Sequence, residues 1–133
     1  MFDLGLTCDG GVYVGHTFAK VRFYNPSDPS KALDLDLIVD TGSTYTWVKR
    51  AGLSGLGVKP AGRRVFKTIK GRLVEREIGE ALIECEGERA TTIVVFAEEG
   101  DAEVLGVYAL EGLGLEVDPA TKELRRSQAI LAL

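Results

Sequence analysis

The chain of 133 residues is 45% hydrophobic and 27% charged, with a net charge of −4. This length suits one domain with a buried core, and the composition is typical of a globular protein rather than a disordered or membrane-spanning one. The acidic balance disfavours a nucleic-acid partner, and no apolar run is long enough to predict a membrane span. The first residues lack a basic segment followed by an apolar one, so no signal peptide is predicted and a cytoplasmic location is expected.

Residue types that bind metals are scarce in this sequence. Cys8 and Cys85 are far apart, and His16 is the single histidine. Because a zinc site needs more Cys or His ligands than these three residues supply, we expect no metal and no cofactor. Free thiols in a reducing compartment are the simpler interpretation of the two cysteines.

The first half of the chain has the alternation of apolar and polar residues that is typical of half-buried strands. Leu33, Leu35 and Leu37 alternate with Asp34 and Asp36, which predicts a strand with one buried and one solvated face. The other elements predicted in this half are strands at 12–14, 18–24 and 45–48, a turn at 25–30 and a short helix within 49–57.

The second half contains two predicted hairpins. The first spans 65–78 with its tip at Lys70-Gly71, and it is polar enough to be an exposed ribbon or a mobile cover. The second spans 81–96 and is more apolar. The remaining elements are a strand end at 104–106, a helix at 109–112, a strand and turn at 115–122, and an apolar C-terminal strand at about 123–133. Together these patterns predict an all-β protein, mainly β with two short helices.

The chain is organised around Val39-Asp40-Thr41-Gly42-Ser43, which follows the apolar end of a predicted strand. A carboxylate beside buried apolar side chains is poorly solvated, so it needs hydrogen bonds to stay ionised. The hydroxyls of Thr41 and Ser43 and the backbone N–H groups around Gly42 can supply these bonds. Asp40 is therefore a candidate general acid or base, and a strand that ends in an Asx-type turn is the structural alternative.

These residues resemble those of the single-domain, retropepsin-like aspartic proteases, in particular the small prokaryotic members. The likeness covers roughly residues 17–124. It implies a single domain of 1–133, in which 1–11 is an N-terminal extension. It includes the Asp-Thr-Gly-Ser run, the polar hairpin at the flap position (about 62–79), Val104-Leu105-Gly106 and the segment 107–119. The resemblance implies a closed acid-protease-like β-barrel, with one lobe in each chain and two chains paired about a two-fold axis.

The resemblance also implies roles for individual residues. Asp40 matches the catalytic aspartate, Thr41 the residue whose hydroxyl bonds across the dimer, and Gly42 the backbone N–H that faces the carboxylate. A hydroxyl donor at Ser43, which matches the serine of pepsin-like enzymes, should favour charged carboxylates and hence an acidic pH optimum. The other implied site residues are Val104, Leu105 and Gly106 beside the aspartate, and Thr68, Ile69, Lys70, Gly71 and Arg72 in the flap.

The number of Asp-Thr-Gly runs bears on how the active site is assembled. Aspartic proteases need two carboxylates that share a proton, one to activate water and one to protonate the substrate carbonyl. This chain has one such run and no second, so a homodimer with one Asp40 from each subunit is predicted. The expected function is that of an aspartic-type endopeptidase, a hydrolase that acts on a peptide or protein substrate.

Two positions depart from the retroviral pattern. Retroviral relatives often carry Asp two positions after the residue that matches Gly42, and Arg after the one that matches Gly106. This chain has Thr44 and Val107 there, and losing both charges together avoids a stranded buried ion. The base of the dimer must then be held differently, and the apolar C-terminus is the candidate.

Two other functional classes compete with the protease. A serine hydrolase built on Ser43 would need His16 as its base, and Ser43 lies in no Gly-x-Ser-x-Gly elbow. A non-catalytic dimer could retain the protease fold as a peptide-binding or scaffolding module, since a fold does not determine a function. The intact Asp-Thr-Gly-Ser run argues against a site that has lost its chemistry.

Overall fold

The computed structural model describes residues 16–128. The predicted N-terminal extension 1–11, the strand at 12–14, Cys8 and the apolar end at 129–133 lie outside the described residues. Strands occupy 54% and helices 12% of the described part, which confirms the prediction of a mainly β chain with two short helices. Neither helix within 16–128 has the length and hydropathy that are needed to cross a bilayer.

The elements follow the predicted order closely. The described strands are β1 (Phe18–Asn25), β2 (Asp28–Val39), β3 (Thr46–Lys49), β4 (Gly62–Lys67), β5 (Leu73–Cys85), β6 (Glu88–Ala97), β7 (Val104–Leu105), β8 (Leu115–Val117) and β9 (Leu124–Arg126). The helices are α1 (Arg50–Gly55) and α2 (Val107–Leu113). Of the predicted C-terminal strand, Leu124–Arg126 have strand geometry, and 129–133 lie outside the described residues.

Seven strands form one sheet in the order β1-β2-β7-β3-β6-β5-β4, and β1 also pairs with β5. This additional pairing closes six strands into a ring and leaves β4 outside it, where β5 is its one partner within residues 16–128. Strand β7 lies between β2, to which it is parallel, and β3, to which it is antiparallel. β8 and β9 form a separate two-stranded sheet.

The core lies on the inner face of the ring and is closed by the two helices. Alternation on β2 is confirmed, because Leu37 is buried while Asp34 and Asp36 are exposed. Leu53 of α1 is fully buried, and α2 contributes Ala109, Leu110 and Leu113. The largest fully buried side chains elsewhere are Phe23, Phe96, Ile83 and Leu105.

One cysteine belongs to this core. Cys85 lies at the end of β5 and is a buried free thiol, as the sequence predicted. Burial raises the pKa of its thiol to about 11. The thiol is therefore protonated at neutral pH and makes a poor nucleophile.

The two predicted hairpins share a strand. Segments 73–78 and 81–85 form the single strand β5, in which Gly79 pairs with Val94 and continues the ladder. A Cβ at Gly79 would lie 2.9 Å from the backbone oxygen of Lys59, so glycine permits a close approach of two chain segments here. From composition, a glycine between two apolar runs predicts a break between two strands. In the structure, the strand continues through Gly79, and close packing against the Lys59 backbone explains the glycine.

Candidate active site

The loop that carries Asp40 is locked to the segment that begins with β7. The Asp40 N–H donates to the Leu105 carbonyl at 2.9 Å. At the start of α2, the Val107 N–H donates to the Ser43 carbonyl at 2.8 Å and the Tyr108 N–H donates to the Thr44 carbonyl at 3.0 Å. The structure thus brings together the two segments, 40–43 and 104–106, that the sequence placed in one site.

Gly106 fits this junction because it has no side chain. Its N–H donates to the fully buried hydroxyl oxygen of Thr46 at 3.0 Å. A Cβ at Gly106 would overlap the carbonyl oxygen of Tyr45 and would lie 2.8 Å from that of Ser43. The close packing of backbone on backbone explains why a glycine stands at the end of β7.

The two departures from the retroviral pattern fall at the same junction. Thr44 and Val107 do not form an ion pair, and each lends a backbone group to the hydrogen bonds between the loop and α2. Backbone bonds therefore hold the base of the site within this subunit. The C-terminal residues 129–133, which were the predicted candidate for holding the dimer, lie outside the described residues.

Asp40 is half-buried, and its carboxylate accepts a hydrogen bond from the Gly42 N–H at 2.9 Å. This is the contact that the resemblance implies for the Gly42 backbone, and its role in catalysis stays a prediction. A Cβ on Gly42 would lie 3.3 Å from the same carboxylate oxygen, so a larger residue would crowd the bond. Thr41 is exposed, which leaves its hydroxyl accessible from outside the subunit.

The predicted hydroxyl donor at Ser43 is wrong. The Ser43 hydroxyl donates to the Tyr45 carbonyl at 2.7 Å, because the tight turn places it against the backbone two residues ahead. The Asp40 carboxylate therefore does not receive this proton, and an acidic optimum gains no support from Ser43. The same bond commits the hydroxyl to the main chain rather than to a histidine base, which argues against a serine hydrolase.

Asp40 opens into a cleft of about 920 Å³ that separates the loop that carries it from the hairpin of β4 and β5. Val104 lines this cleft, whereas the Leu105 side chain is fully buried and reaches the site only through its carbonyl. The lining residues are Asp40, Gly42, Ser43, Thr44, Tyr45, Trp47, Val65, Phe66, Lys67, Thr68, Ile69, Gly100, Asp101, Ala102 and Val104. Apolar and aromatic side chains form part of this lining, and the volume lies in the range that is typical of ligand pockets.

The hairpin of residues 62–79 has the predicted tip. Its strands pair from Gly62 opposite Ile78 to Lys67 opposite Leu73. At the tip, the Gly71 N–H donates to the Thr68 carbonyl at 2.8 Å, and Gly71 has a φ of +82°, which favours glycine. Thr68 and Ile69 line the cleft, whereas Lys70, Gly71 and Arg72 complete the exposed turn. We call this segment the flap hairpin.

An aromatic cluster joins the flap hairpin to the segment that follows Asp40, and the sequence interpretation missed it. The Phe66 ring meets Trp47 edge-on at a centroid distance of 5.1 Å and Tyr45 at 6.0 Å, and Tyr45 meets Tyr108 at 5.4 Å. The Arg64 guanidinium also donates to the Tyr45 hydroxyl. Such edge-to-face contacts stabilise beyond burial alone. The available signal was the pair of aromatic residues at 45 and 47, which closely follow the Asp-Thr-Gly run, and a third at 66 in the predicted hairpin.

A partly buried ion pair holds the base of the flap hairpin against the opposite cleft wall. Arg76 on β5 donates two hydrogen bonds to Asp101, at 2.7 and 3.0 Å, and the side chains are 19% and 18% exposed. Desolvation alone would raise the pKa of the Asp101 carboxyl, yet Arg76 and the Glu98 N–H together hold it below its usual value. Arg50 of α1 reinforces this wall through Glu77 and Glu98.

Asp101→Asn is expected to destabilise the protein by about 1 kcal/mol at pH 6, since water partly screens the pair that is lost. The folded-state pKa of Asp101 is lowered, so the contribution is present above about pH 4 and disappears as the pH falls through the folded value. Urea unfolding of wild type and variant at pH 6 and pH 3 should show a difference that shrinks at the lower pH.

Asp34→Asn is the matched control for this measurement. Asp34 also accepts two bonds from one guanidinium, that of Arg22 at 2.6 and 3.0 Å, but this pair is exposed on β1 and β2. Little change in stability is expected at either pH. A loss for Asp101→Asn no larger than that of the control would show that the pair does not hold the flap hairpin.

Among residues 16–128, no three His, Cys, Asp or Glu side chains converge on a point that could hold a metal ion. No family model matches the chain, and no curated protein is significantly similar to it. The resemblance to retropepsin-like proteases thus stays a prediction that rests on the residues and spacing of the chain itself.

Proposed function

We propose that the protein is a retropepsin-like aspartic endopeptidase whose active site combines the Asp40 carboxylates of two identical subunits. One observation carries the proposal: a half-buried carboxylate, bound by the Gly42 N–H at 2.9 Å, opens into a peptide-sized cleft beneath a hairpin. In this proposal, the six-strand ring is the acid-protease-like β-barrel lobe that each chain contributes.

The proposed chemistry needs the two carboxylates to share one proton. The ionised carboxylate takes a proton from a water molecule, and the oxygen of that water attacks the scissile carbonyl carbon. The other carboxyl protonates the carbonyl oxygen. Collapse of the resulting diol breaks the C–N bond, and the amine leaves with a proton. Activity then falls as rising pH removes the shared proton, and the apparent constants belong to the pair.

The flap hairpin suits the binding of an extended peptide. Among the described strands, β4 is the terminal one of the sheet order, so one of its edges has no partner strand within 16–128 and can add a substrate strand through backbone hydrogen bonds. Beneath it, Trp47, Phe66 and Val104 form apolar walls for side chains of the substrate. Closure of the hairpin over the peptide would exclude water from the reacting atoms.

The exposed position of Thr41 supports the shared site. Thr41 lies next to Asp40 on the loop that would face the two-fold axis, and its hydroxyl is accessible for a bond to the partner loop. A two-fold interface makes the same contact twice, so one such hydroxyl in each chain ties the two loops together.

A peptide-binding module without catalysis is the second candidate. The aromatic cluster and the free edge of β4 would hold a peptide whether or not Asp40 acts on it. This candidate predicts peptide binding with no cleavage, whereas the protease predicts both.

A peptidase assay across about pH 3 to 7, the range around carboxylate pKa values, separates the two candidates. We expect cleavage of an apolar peptide that is strongest at the acidic end and is blocked by a pepstatin-type inhibitor. Sedimentation of the same sample should give the mass of a dimer. A strict monomer at micromolar concentration would exclude the two-subunit site, and a dimer that binds but never cleaves the peptide would favour the module.

A further inference from the structure

The charge of the flap hairpin is opposite to that of the rest of the chain. Residues 62–78 contain six of the sixteen Lys and Arg residues and two of the twenty Asp and Glu residues. The hairpin therefore carries a net charge of +4 within a protein whose total is −4. Such an asymmetry concentrates a positive potential over one wall of the cleft.

The cations near the base of the hairpin have partners within the chain. Arg63 pairs with Glu75 at 3.3 Å, Arg64 bonds to the Tyr45 hydroxyl, and Arg76 pairs with Asp101. These contacts explain three of the six positive charges as structural. They also neutralise Asp101, which is one of the two carboxylates that line the cleft.

The cations at the tip differ from those at the base. Lys67, Lys70 and Arg72 are exposed, and within the described part of the chain none of them forms an ion pair with Asp or Glu. They surround the fully exposed Ile69, and Lys67 itself lines the cleft. This turn of six residues thus carries three uncompensated positive charges and an exposed apolar side chain, and Lys67 and Ile69 place one of the charges and the apolar group at the cleft.

We infer that the flap tip selects peptides that carry acidic side chains on either side of the scissile bond, and this inference rests on the proposed peptide cleft. Asp40 on the opposite wall disfavours an acidic side chain at the scissile bond itself. The preferred substrate is therefore apolar at the centre and acidic in the flanking positions that reach the tip. In a two-fold dimer both tips contribute, so acidic residues are favoured on both sides.

Peptide binding to the Asp40→Asn protein tests this inference without requiring catalysis. Two labelled peptides share an apolar centre and differ only in Glu or Gln at the flanking positions. By fluorescence anisotropy at low salt, the Glu peptide should bind about 3- to 10-fold more tightly, as expected for several exposed charge pairs. At about 0.5 M NaCl, where charges are screened within a few ångströms, most of the preference should disappear.

Two triple variants identify the source of the preference. Lys67→Gln, Lys70→Gln and Arg72→Gln together should bring the affinity ratio of the two peptides close to one. The control is the triple variant of three exposed lysines outside the hairpin, Lys20→Gln, Lys31→Gln and Lys59→Gln, which changes the net charge equally. This control should keep the ratio of the unmodified tip, and both variants should keep the melting temperature, since the sites are exposed.

The outcomes for the tip and for catalysis are separable. Equal binding of the two peptides, a preference that survives in the tip variant, or no peptide binding would overturn the inference. So would tighter binding of a short single-stranded RNA than of the Glu peptide, because the tip would then serve phosphates. If the unmodified protein cleaves neither peptide yet keeps the preference, the protease proposal fails and the charge selection stands. If the unmodified protein cleaves both peptides at equal rates, the protease proposal stands and the charge selection fails.

Discussion

Asp40→Asn is expected to reduce kcat/KM for peptide hydrolysis by a factor of at least about 10³, since it removes a general acid–base group from both halves of the site. The fold should persist, because the side-chain oxygen of asparagine can still accept the Gly42 N–H bond that now reaches Asp40. Activity measured with a fluorogenic peptide, together with the melting temperature, would distinguish lost chemistry from lost structure.

Asp36→Asn is the control for this substitution. Asp36 lies on β2, the strand that leads to Asp40, but its side chain is exposed and its contact is an open ion pair with Lys20 at 3.5 Å. We expect wild-type activity and stability for this variant. If Asp40→Asn retained activity within tenfold of Asp36→Asn, the two-carboxylate mechanism would be untenable.

Gly106→Ala is expected to be the most destabilising single methyl addition near the site. The new Cβ would overlap the Tyr45 carbonyl oxygen, and backbone cannot rotate aside as a side chain can. We expect a loss of about 3 kcal/mol or more, which corresponds to a melting temperature about 10 °C lower. Urea unfolding with calorimetry would measure both quantities.

Gly55→Ala provides the comparison. Gly55 lies in α1, and a Cβ there would have no neighbour within 4 Å. Alanine in a helix is preferred over glycine by up to about 1 kcal/mol, so this variant should be unchanged or slightly more stable. Equal stability of the two alanine variants would mean that loop 40–45 and β7 are not closely packed.

Local patterns were sufficient for the elements that depend on near neighbours. The alternation at 33–37 predicted the buried face of β2, and the Lys70-Gly71 pair predicted the hairpin tip, because each feature is determined within a few residues. The placement of Val104-Leu105-Gly106 beside Asp40 came from the family resemblance, since no local pattern joins segments so distant in sequence.

Contacts between distant side chains were beyond the sequence patterns. The Arg76–Asp101 pair and the Phe66–Trp47 contact link elements whose approach depends on the sheet order. The predicted hydrogen bond from the Ser43 hydroxyl to Asp40 was also wrong, because a hydroxyl in a tight turn can donate either to a carboxylate or to a nearby carbonyl. The acceptor depends on where the backbone places the Tyr45 carbonyl, and the residue types alone do not specify this position.

The position of β7 between β2 and β3 has a bearing on synthesis. Thr46 and Gly106, which bond at 3.0 Å, are 60 residues apart, so the loop with Asp40 gains its supporting strand only after most of the chain has been translated. A nascent polypeptide that ends before Val104 carries the aspartate on an unsupported loop. If the proposed protease activity is present, it can therefore begin only after the segment with Val104 has been synthesised.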